Sequence, residues 1–274
     1  MISRNCDSLG LFFLRWVPDY NKPMALVKSI LSLVFVTLCA AAHAQVSTIA
    51  VAANMKDAFL AIEKEFKADH KADFRVVYGS SGNISAQILN GAPFSLFISA
   101  DESYPLELFK RKMTRDEGKV YAIGKIALLS KKSKGIAIGS SKAELTKAIK
   151  QANKIAIAKP ELAPYGKAAV DYLKAEGLWD LAKDKLVYGD NISMATMYVA
   201  SGSADIGFTA LSLALAPGVA KETEYLVLNP ALYEPIQQRM VLMKNAPQEA
   251  VALYQFMQSP KAQAILRTFG YQIP

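Results

Sequence analysis

Residues 46–66 read VSTIAVAANMKDAFLAIEKEF, and the fold follows from this stretch. Val46 to Ala53 reads as a short apolar strand. Met55 to Ala68 then carries apolar residues at Met55, Ala58, Phe59, Ile62 and Phe66, the spacing of one helix face. The same alternation repeats outward. Phe74 to Tyr78 is a second strand, and Gly79-Ser80-Ser81-Gly82 turns into a helix reaching about Leu89. Phe94 to Ile98 is a third strand and Tyr104 to Lys110 a third helix. Strand–helix repetition of this kind predicts an α/β fold, a mostly parallel sheet covered by helices on both faces.

The theme resumes after Lys125. Strands are expected at Ile155 to Ala158, Leu186 to Tyr188, Ile206 to Thr209, Tyr225 to Leu228 and Gln237 to Met243. Helices are expected at Tyr165 to Glu176, Ser193 to Ala200, Pro247 to Gln258 and Pro260 to Phe269. Two lobes follow. One spans 45–122 and is completed by 238–274; the other spans 126–234. The connecting segments 123–125 and 235–237 would form a hinge.

The N-terminal region reads separately. Met24 to Ala44 (MALVKSILSLVFVTLCAAAHA) has one cation, Lys28, then an apolar run, then Ala42-His43-Ala44, which fits small-x-small cleavage. This is a secretory signal, and the run is shorter than the ~20 residues of a membrane span. Residues 1–23 carry Arg4, Asp7, Arg15 and Asp19 ahead of a complete signal, so translation is expected to start at Met24. Cys39 follows Leu38, where a lipoprotein signal would have a small residue, so no lipidation is expected. Cleavage after Ala44 removes Cys6 and Cys39, which leaves a periplasmic, cysteine-free chain with no disulfide framework. It also removes four cations (Arg4, Arg15, Lys22, Lys28) and two aspartates, taking the net charge from +8 to +6. The remaining charges are scattered. No basic run with interleaved aromatics points to nucleic acid.

Composition also limits the chemistry. Beyond the signal there is no cysteine and one histidine, His70, in a Lys- and Asp-rich helix end. Cys-His sites are excluded, Ser-His-Asp sites nearly so, and zinc sites lack their usual ligands. A hydrolase built on a carboxylate pair stays open, because such pairs are spatial. The expectation is a binding protein, not an enzyme, with no cofactor.

Anion binding has positive support. Four strand-to-helix junctions carry polar or glycine-containing turns: Ala53-Asn54, Ser80-Ser81-Gly82, Pro164-Tyr165-Gly166 and Asn191-Ile192-Ser193. Such junctions lie at the carboxyl edge of an α/β sheet. Each starts a helix whose first N–H groups have no internal partner and whose dipole is positive there. Two junctions from each lobe, facing across a cleft, would aim neutral donors at one small oxyanion. Taken singly each has a plainer reading: Asn54 as an N-cap, Ser80 and Ser81 as turn and cap, Tyr165 as a core aromatic. Ile192 could contribute only its N–H. Asp190, close by in sequence, is the one carboxylate that could add an acceptor.

At these junctions the chain resembles a known family. Gly79-Ser80-Ser81-Gly82-Asn83-Ile84-Ser85-Ala86-Gln87-Ile88, then Asn90-Gly91-Ala92-Pro93 and Phe97-Ile98-Ser99-Ala100-Asp101-Glu102, resembles the periplasmic molybdate-binding proteins of the ModA type. The similarity continues at Tyr121–Lys125, Ala163-Pro164-Tyr165-Gly166, Ala200–Phe208 and Tyr233-Glu234-Pro235-Ile236. The resemblance implies a two-lobed periplasmic binding protein fold that captures molybdate, or tungstate, for an ABC-type importer. It implies a monomer whose partners are the importer's permease and ATPase subunits. Carried over by position, the oxyanion would be held by Ala53 and Asn54, Ser81, Tyr165 and Ile192. Two positions depart from many members: Asn54 stands where serine is common, and Ala210 where a tyrosine is common. Tyr165 would then supply the hydroxyl, as in a subgroup with Asn and Pro-Tyr-Gly. Asp101, a family signature, reads as structural. A binding protein for sulfate or another small anion remains the alternative.

Overall fold

The computed structural model describes residues 46–274. The signal peptide, the start at Met24, the cleavage after Ala44 and both cysteines lie outside the described residues. Ten strands run in chain order: β1 Ser47–Ala52, β2 Phe74–Gly79, β3 Leu96–Ile98, β4 Lys119–Gly124, β5 Ile126–Lys131, β6 Ile155–Ala158, β7 Leu186–Gly189, β8 Ile206–Ala210, β9 Thr223–Val227 and β10 Ile236–Leu242. The helices are α1 Lys56–Asp69, α2 Ser81–Leu89, α3 Ser103–Lys110, α4 Lys142–Gln151, α5 Pro164–Ala175, α6 Trp179–Ala182, α7 Ile192–Ala200, α8 Leu211–Ala214, α9 Pro217–Ala220, α10 Gln248–Phe256 and α11 Pro260–Thr268.

The strands form two five-stranded sheets, ordered β2-β1-β3-β10-β4 and β7-β6-β8-β5-β9. This is the two-lobed α/β architecture. Each sheet is mixed, where a mostly parallel one was expected. β1 pairs parallel with β2 and β3, while β10 runs antiparallel to β3 and β4. In the other sheet β6 pairs parallel with β7 and β8, and β5 runs antiparallel to β8 and β9. The reason is the way the chain crosses between lobes. The parallel strands end at the cleft, where their helices start. β5 and β10 enter from the other lobe, so they start at the cleft and run away from it.

The strands β4 and β5 are not among the expected elements, although both are apolar runs. They are separated only by Lys125 and belong to different sheets, so no turn residues divide them. β3 starts at Leu96, two residues after the expected Phe94.

The apolar face read for α1 is the one it buries. Met55, Ala58, Phe59, Ile62 and Phe66 are all buried against Leu96, Ile98, Leu253 and Leu266. Each fully buried phenylalanine contributes roughly 1.5–3 kcal/mol. This packing holds α1 so that its first turn sits at the end of β1. The C-terminal helices α10 and α11 pack on the first lobe, and Ile123 exchanges hydrogen bonds with Gln272. Both chain ends of the described unit therefore belong to one lobe.

Candidate oxyanion site

All four junctions take up the predicted strand–turn–helix geometry. After β1, Ala52 is extended and Ala53–Met55 forms a 3-10 turn leading into α1. After β2, Ser80 is extended and Ser81 is the first residue of α2. Ala163 precedes α5, with Pro164 first and Tyr165 second. Asn191 caps α7 by accepting from Met194 N–H at 3.1 Å, and Ile192 is its first residue. The N–H groups of Ser81, Tyr165 and Ile192 thus sit in first turns, where a helix supplies no acceptor.

These residues converge. Ala53, Asn54, Ser81, Tyr165 and Ile192 line one small cavity, together with Ser80 and Ala100. No charged side chain lines it. Asp190 pairs instead with Lys159 at 2.6 Å on the surface. His70 is the exposed C-terminal cap of α1 and stacks on Phe66.

The plainer readings of Asn54 and the two serines fail on geometry. Neither Asn54 nor Ser80 makes a capping bond. The Ser81 hydroxyl accepts from Ala100 N–H at 2.9 Å, which leaves its own proton to donate into the cavity. The Ser80 hydroxyl is buried without a partner. Asn54, only 1% exposed, donates its amide to Gln238 Oε1 at 2.9 Å and to the Tyr271 hydroxyl at 2.8 Å.

Sequence reading missed the layer beneath the site. Gln238 accepts from the Tyr121 hydroxyl at 2.8 Å and donates to the Tyr165 hydroxyl at 2.9 Å. The Tyr165 hydroxyl thus accepts from Gln238, which leaves its own proton to donate. Tyr271 also reaches Asn54 O and Ser212 Oγ at 3.0 Å each. The bulge at Gln238/Arg239 leaves Tyr121 out of the β4–β10 ladder, so that Tyr121 and Ala122 are both buried. One signal was available: Ile236, Gln238 and Met240 alternate on the buried face of β10, and Gln238 is the polar member. Asp101 accepts from the Ser99 and Ser103 hydroxyls, at 3.1 and 2.6 Å, and does not line the cavity.

The lobes touch around the cavity. Gly82 N–H donates to Leu162 O at 2.9 Å, Tyr104 hydroxyl to Glu161 O at 3.2 Å, Ser193 hydroxyl to Ala53 O at 2.9 Å, and Ser212 hydroxyl to Asn54 O at 2.8 Å.

Burial drives the hydroxyls of Tyr121, Tyr165 and Tyr271 well above the ordinary tyrosine range, with neighbouring tyrosines adding to the effect on the first two. These groups keep their protons in the folded state where the unfolded chain has lost them. Their contribution to stability is complete below about pH 10 and declines as pH rises further. Melting temperatures should therefore hold to about pH 10 and fall above it. A flat profile to pH 11 would contradict the placement of this tyrosine cluster.

Comparison with known proteins agrees with the fold. A family model described as bacterial extracellular solute-binding protein matches residues 47–272. The chain is 36% identical over 236 residues to the molybdate-binding protein ModA of Azotobacter vinelandii, covering 85% of this chain and 92% of that one. It is 34% identical over 233 residues to ModA of Rhodobacter capsulatus, covering 81% and 86%. The solved structure of the Azotobacter vinelandii periplasmic molybdate-binding protein superimposes with a TM-score of 0.74 at 31% identity, covering 83% of this chain and 99% of that one. With the fold, the neutral cavity and these matches in agreement, the chain belongs to the bacterial extracellular solute-binding proteins, in the group that includes the ModA proteins.

Proposed function

We propose that the protein captures molybdate, or tungstate, in the periplasm and delivers it to an ABC-type importer, whose permease and ATPase subunits are its partners. It acts as a monomer, without a cofactor and without catalysis. The supporting observation is the uncharged cavity at four strand–helix junctions, lined by Ala53, Asn54, Ser81, Tyr165 and Ile192. Burying a dianion is costly unless it is fully hydrogen-bonded. Each bond to a charged group returns about 1.5–3 kcal/mol, so several neutral donors suffice for tight binding.

Capture proceeds by closure. Ser81 and the Ala53-Asn54 turn belong to the lobe of residues 45–122 and 238–274. Tyr165 and Ile192 belong to that of residues 126–234. Only the closed form engages both sets, so the anion favours closure. The hinge lies at 123–125 and 235–237, where β4 gives way to β5 and where β10 starts. A site made of donors sorts anions by protonation. Molybdate, tungstate and sulfate carry no proton near neutral pH, whereas phosphate carries one that needs an acceptor.

Calorimetric titration of the purified protein tests this. Molybdate and tungstate should bind one to one and tightly, with sulfate much weaker and phosphate silent. Sulfate binding tighter than molybdate would make the protein a sulfate carrier of the same fold. No heat from any of the four would reject the anion reading.

A further inference from the structure

Asn54 lines the cavity, yet its free polar atom is of the wrong kind. Both of its amide hydrogens point away, to Gln238 Oε1 and the Tyr271 hydroxyl, while Oδ1 is buried without a partner. An unpartnered carbonyl oxygen beside an anion is repulsive as well as unsatisfied. The surrounding network supplies the remedy. A carboxamide rotated by half a turn exchanges its oxygen and nitrogen in nearly the same space. Rotating Asn54 alone would set its oxygen against Gln238 Oε1. Rotating Gln238 as well removes that clash.

The rotated pair gives both amides and the two tyrosines on Gln238 their partners. Gln238 Nε2 then donates to Asn54 Oδ1 and to the Tyr121 hydroxyl, whose own proton goes to Ser99 O, already 2.9 Å away. Gln238 Oε1 accepts from the Tyr165 hydroxyl in place of donating to it. Asn54 Oδ1 also accepts from the Tyr271 hydroxyl, whose proton then leaves Asn54 O and Ser212 Oγ; Asn54 O keeps the Ser212 hydroxyl as its donor. Asn54 Nδ2 is left facing the cavity. The buried orphan oxygen is replaced by an amide donor whose acceptor is the ligand.

We infer that Gln238 is the positioning residue of the oxyanion site: its amide and that of Asn54 rotate together, and the anion-bound state is the one in which Asn54 presents Nδ2. The inference rests on the anion reading given above and deepens it. Gln238 suits this task because it is fully buried, sits at the start of β10 beside the hinge segment, and connects Tyr121 and Asn54 of one lobe to Tyr165 of the other. The site is shaped around it. A Cβ on Gly124 would overlap the Tyr165 hydroxyl and come within 2.6 Å of Gln238 Nε2, so this position of β4 has room for glycine only. The pair also controls ligand class. With Oδ1 inward the cavity holds an acceptor, which a protonated anion can use; with Nδ2 inward it holds donors alone.

The test is a double-mutant cycle on the purified protein with molybdate as the probe. Gln238→Met keeps the volume and removes both polar atoms. In the wild-type background it should weaken molybdate binding about 10–100-fold, the loss of one charge-assisted donor. In an Asn54→Ala background it should weaken it by less than about twofold, because Gln238 acts through Asn54. Additive losses would overturn the inference and leave Gln238 a residue of packing only. Should Gln238→Met fail to fold, the wild type answers by NMR. The Asn54 side-chain amide signals, identified by their absence in Asn54→Ala, should move on adding molybdate; signals that stay in place overturn the rotation. Failure of wild-type protein to bind molybdate at all is a separate outcome, which rejects the anion reading itself.

Discussion

Gly82→Val is expected to abolish tight molybdate binding while leaving the unliganded protein stable. Gly82 is the second residue of α2, and its N–H donates across the cleft to Leu162 O at 2.9 Å. A Cβ added there would lie 2.7 Å from the Tyr104 hydroxyl and 3.0 Å from both Cα and O of Leu162. Tyr104 can swing aside. The Leu162 backbone, held at the turn before α5 by its bond to Lys159 O, cannot. The larger side chain therefore blocks full approach of the lobes. An open protein keeps the donors of Ala53-Asn54 and Ser81 but loses those of Tyr165 and Ile192. Two charge-assisted bonds amount to roughly 3–6 kcal/mol, so affinity should fall more than about 100-fold. The open form relieves the clash, so the unliganded melting temperature should change little. Calorimetry and small-angle scattering check both parts. Unchanged affinity together with ligand-induced compaction would show that the Gly82–Leu162 contact is not needed for closure.

Ser81→Ala has the next largest effect, and it acts twice. The hydroxyl is expected to donate to the anion, and its loss should weaken molybdate binding about 10–150-fold, corresponding to ~1.5–3 kcal/mol. It also accepts from Ala100 N–H in a fully buried setting. Removing that acceptor leaves a buried donor unpaired, costing about 1–3 kcal/mol of stability in the absence of ligand. The neighbouring Ser80 provides the contrast. Its hydroxyl is as deeply buried but has no partner, so Ser80→Ala should leave unliganded stability unchanged or raised. Equal destabilisation by the two substitutions would contradict the distinct hydrogen bonding of the two serines. Full retention of molybdate affinity in Ser81→Ala would remove Ser81 from the donor set.

The parts that sequence reading reached share a physical feature: each is local. The face of α1 is legible because Ala58, Phe59, Ile62 and Phe66 recur at helical spacing, and period alone decides which side a helix buries. The anion-facing turns are legible for a similar reason. A strand followed directly by a helix must leave N–H groups free at the junction, whatever the rest of the chain does. Local sequence therefore suffices to single out the four junctions; the family resemblance names Ala53, Asn54, Ser81, Tyr165 and Ile192 at them, and these residues do line one cavity.

What escaped depends on contacts remote in sequence. Gln238 lies 184 residues from Asn54, and Tyr271 lies 217 residues from it. No local pattern associates them; Gln238 shows only as a polar residue on the buried side of β10. Side-chain roles are equally remote. From sequence Asn54 reads as a cap or a donor and Tyr165 as a free N–H or a core aromatic, to which the family resemblance adds a hydroxyl aimed at the ligand. Packing adds contacts of the Tyr165 hydroxyl with Gln238 and Gly124 that no local pattern announces.

The sequence by itself thus determined the alternation of strands and helices, the two-lobed fold, and the four uncharged strand–helix junctions that line one cavity. These follow from periodicity, from the free N–H groups of helix starts, and from the scarcity of histidine and cysteine. Only the tertiary structure decided that each sheet is mixed, that the lobes meet at Gly82 and Leu162, and that a buried glutamine lies under the site. Those outcomes depend on where the chain re-enters each lobe and on which distant side chains share a dry interior. There every polar group must find a partner, and the partner's identity depends on three-dimensional proximity.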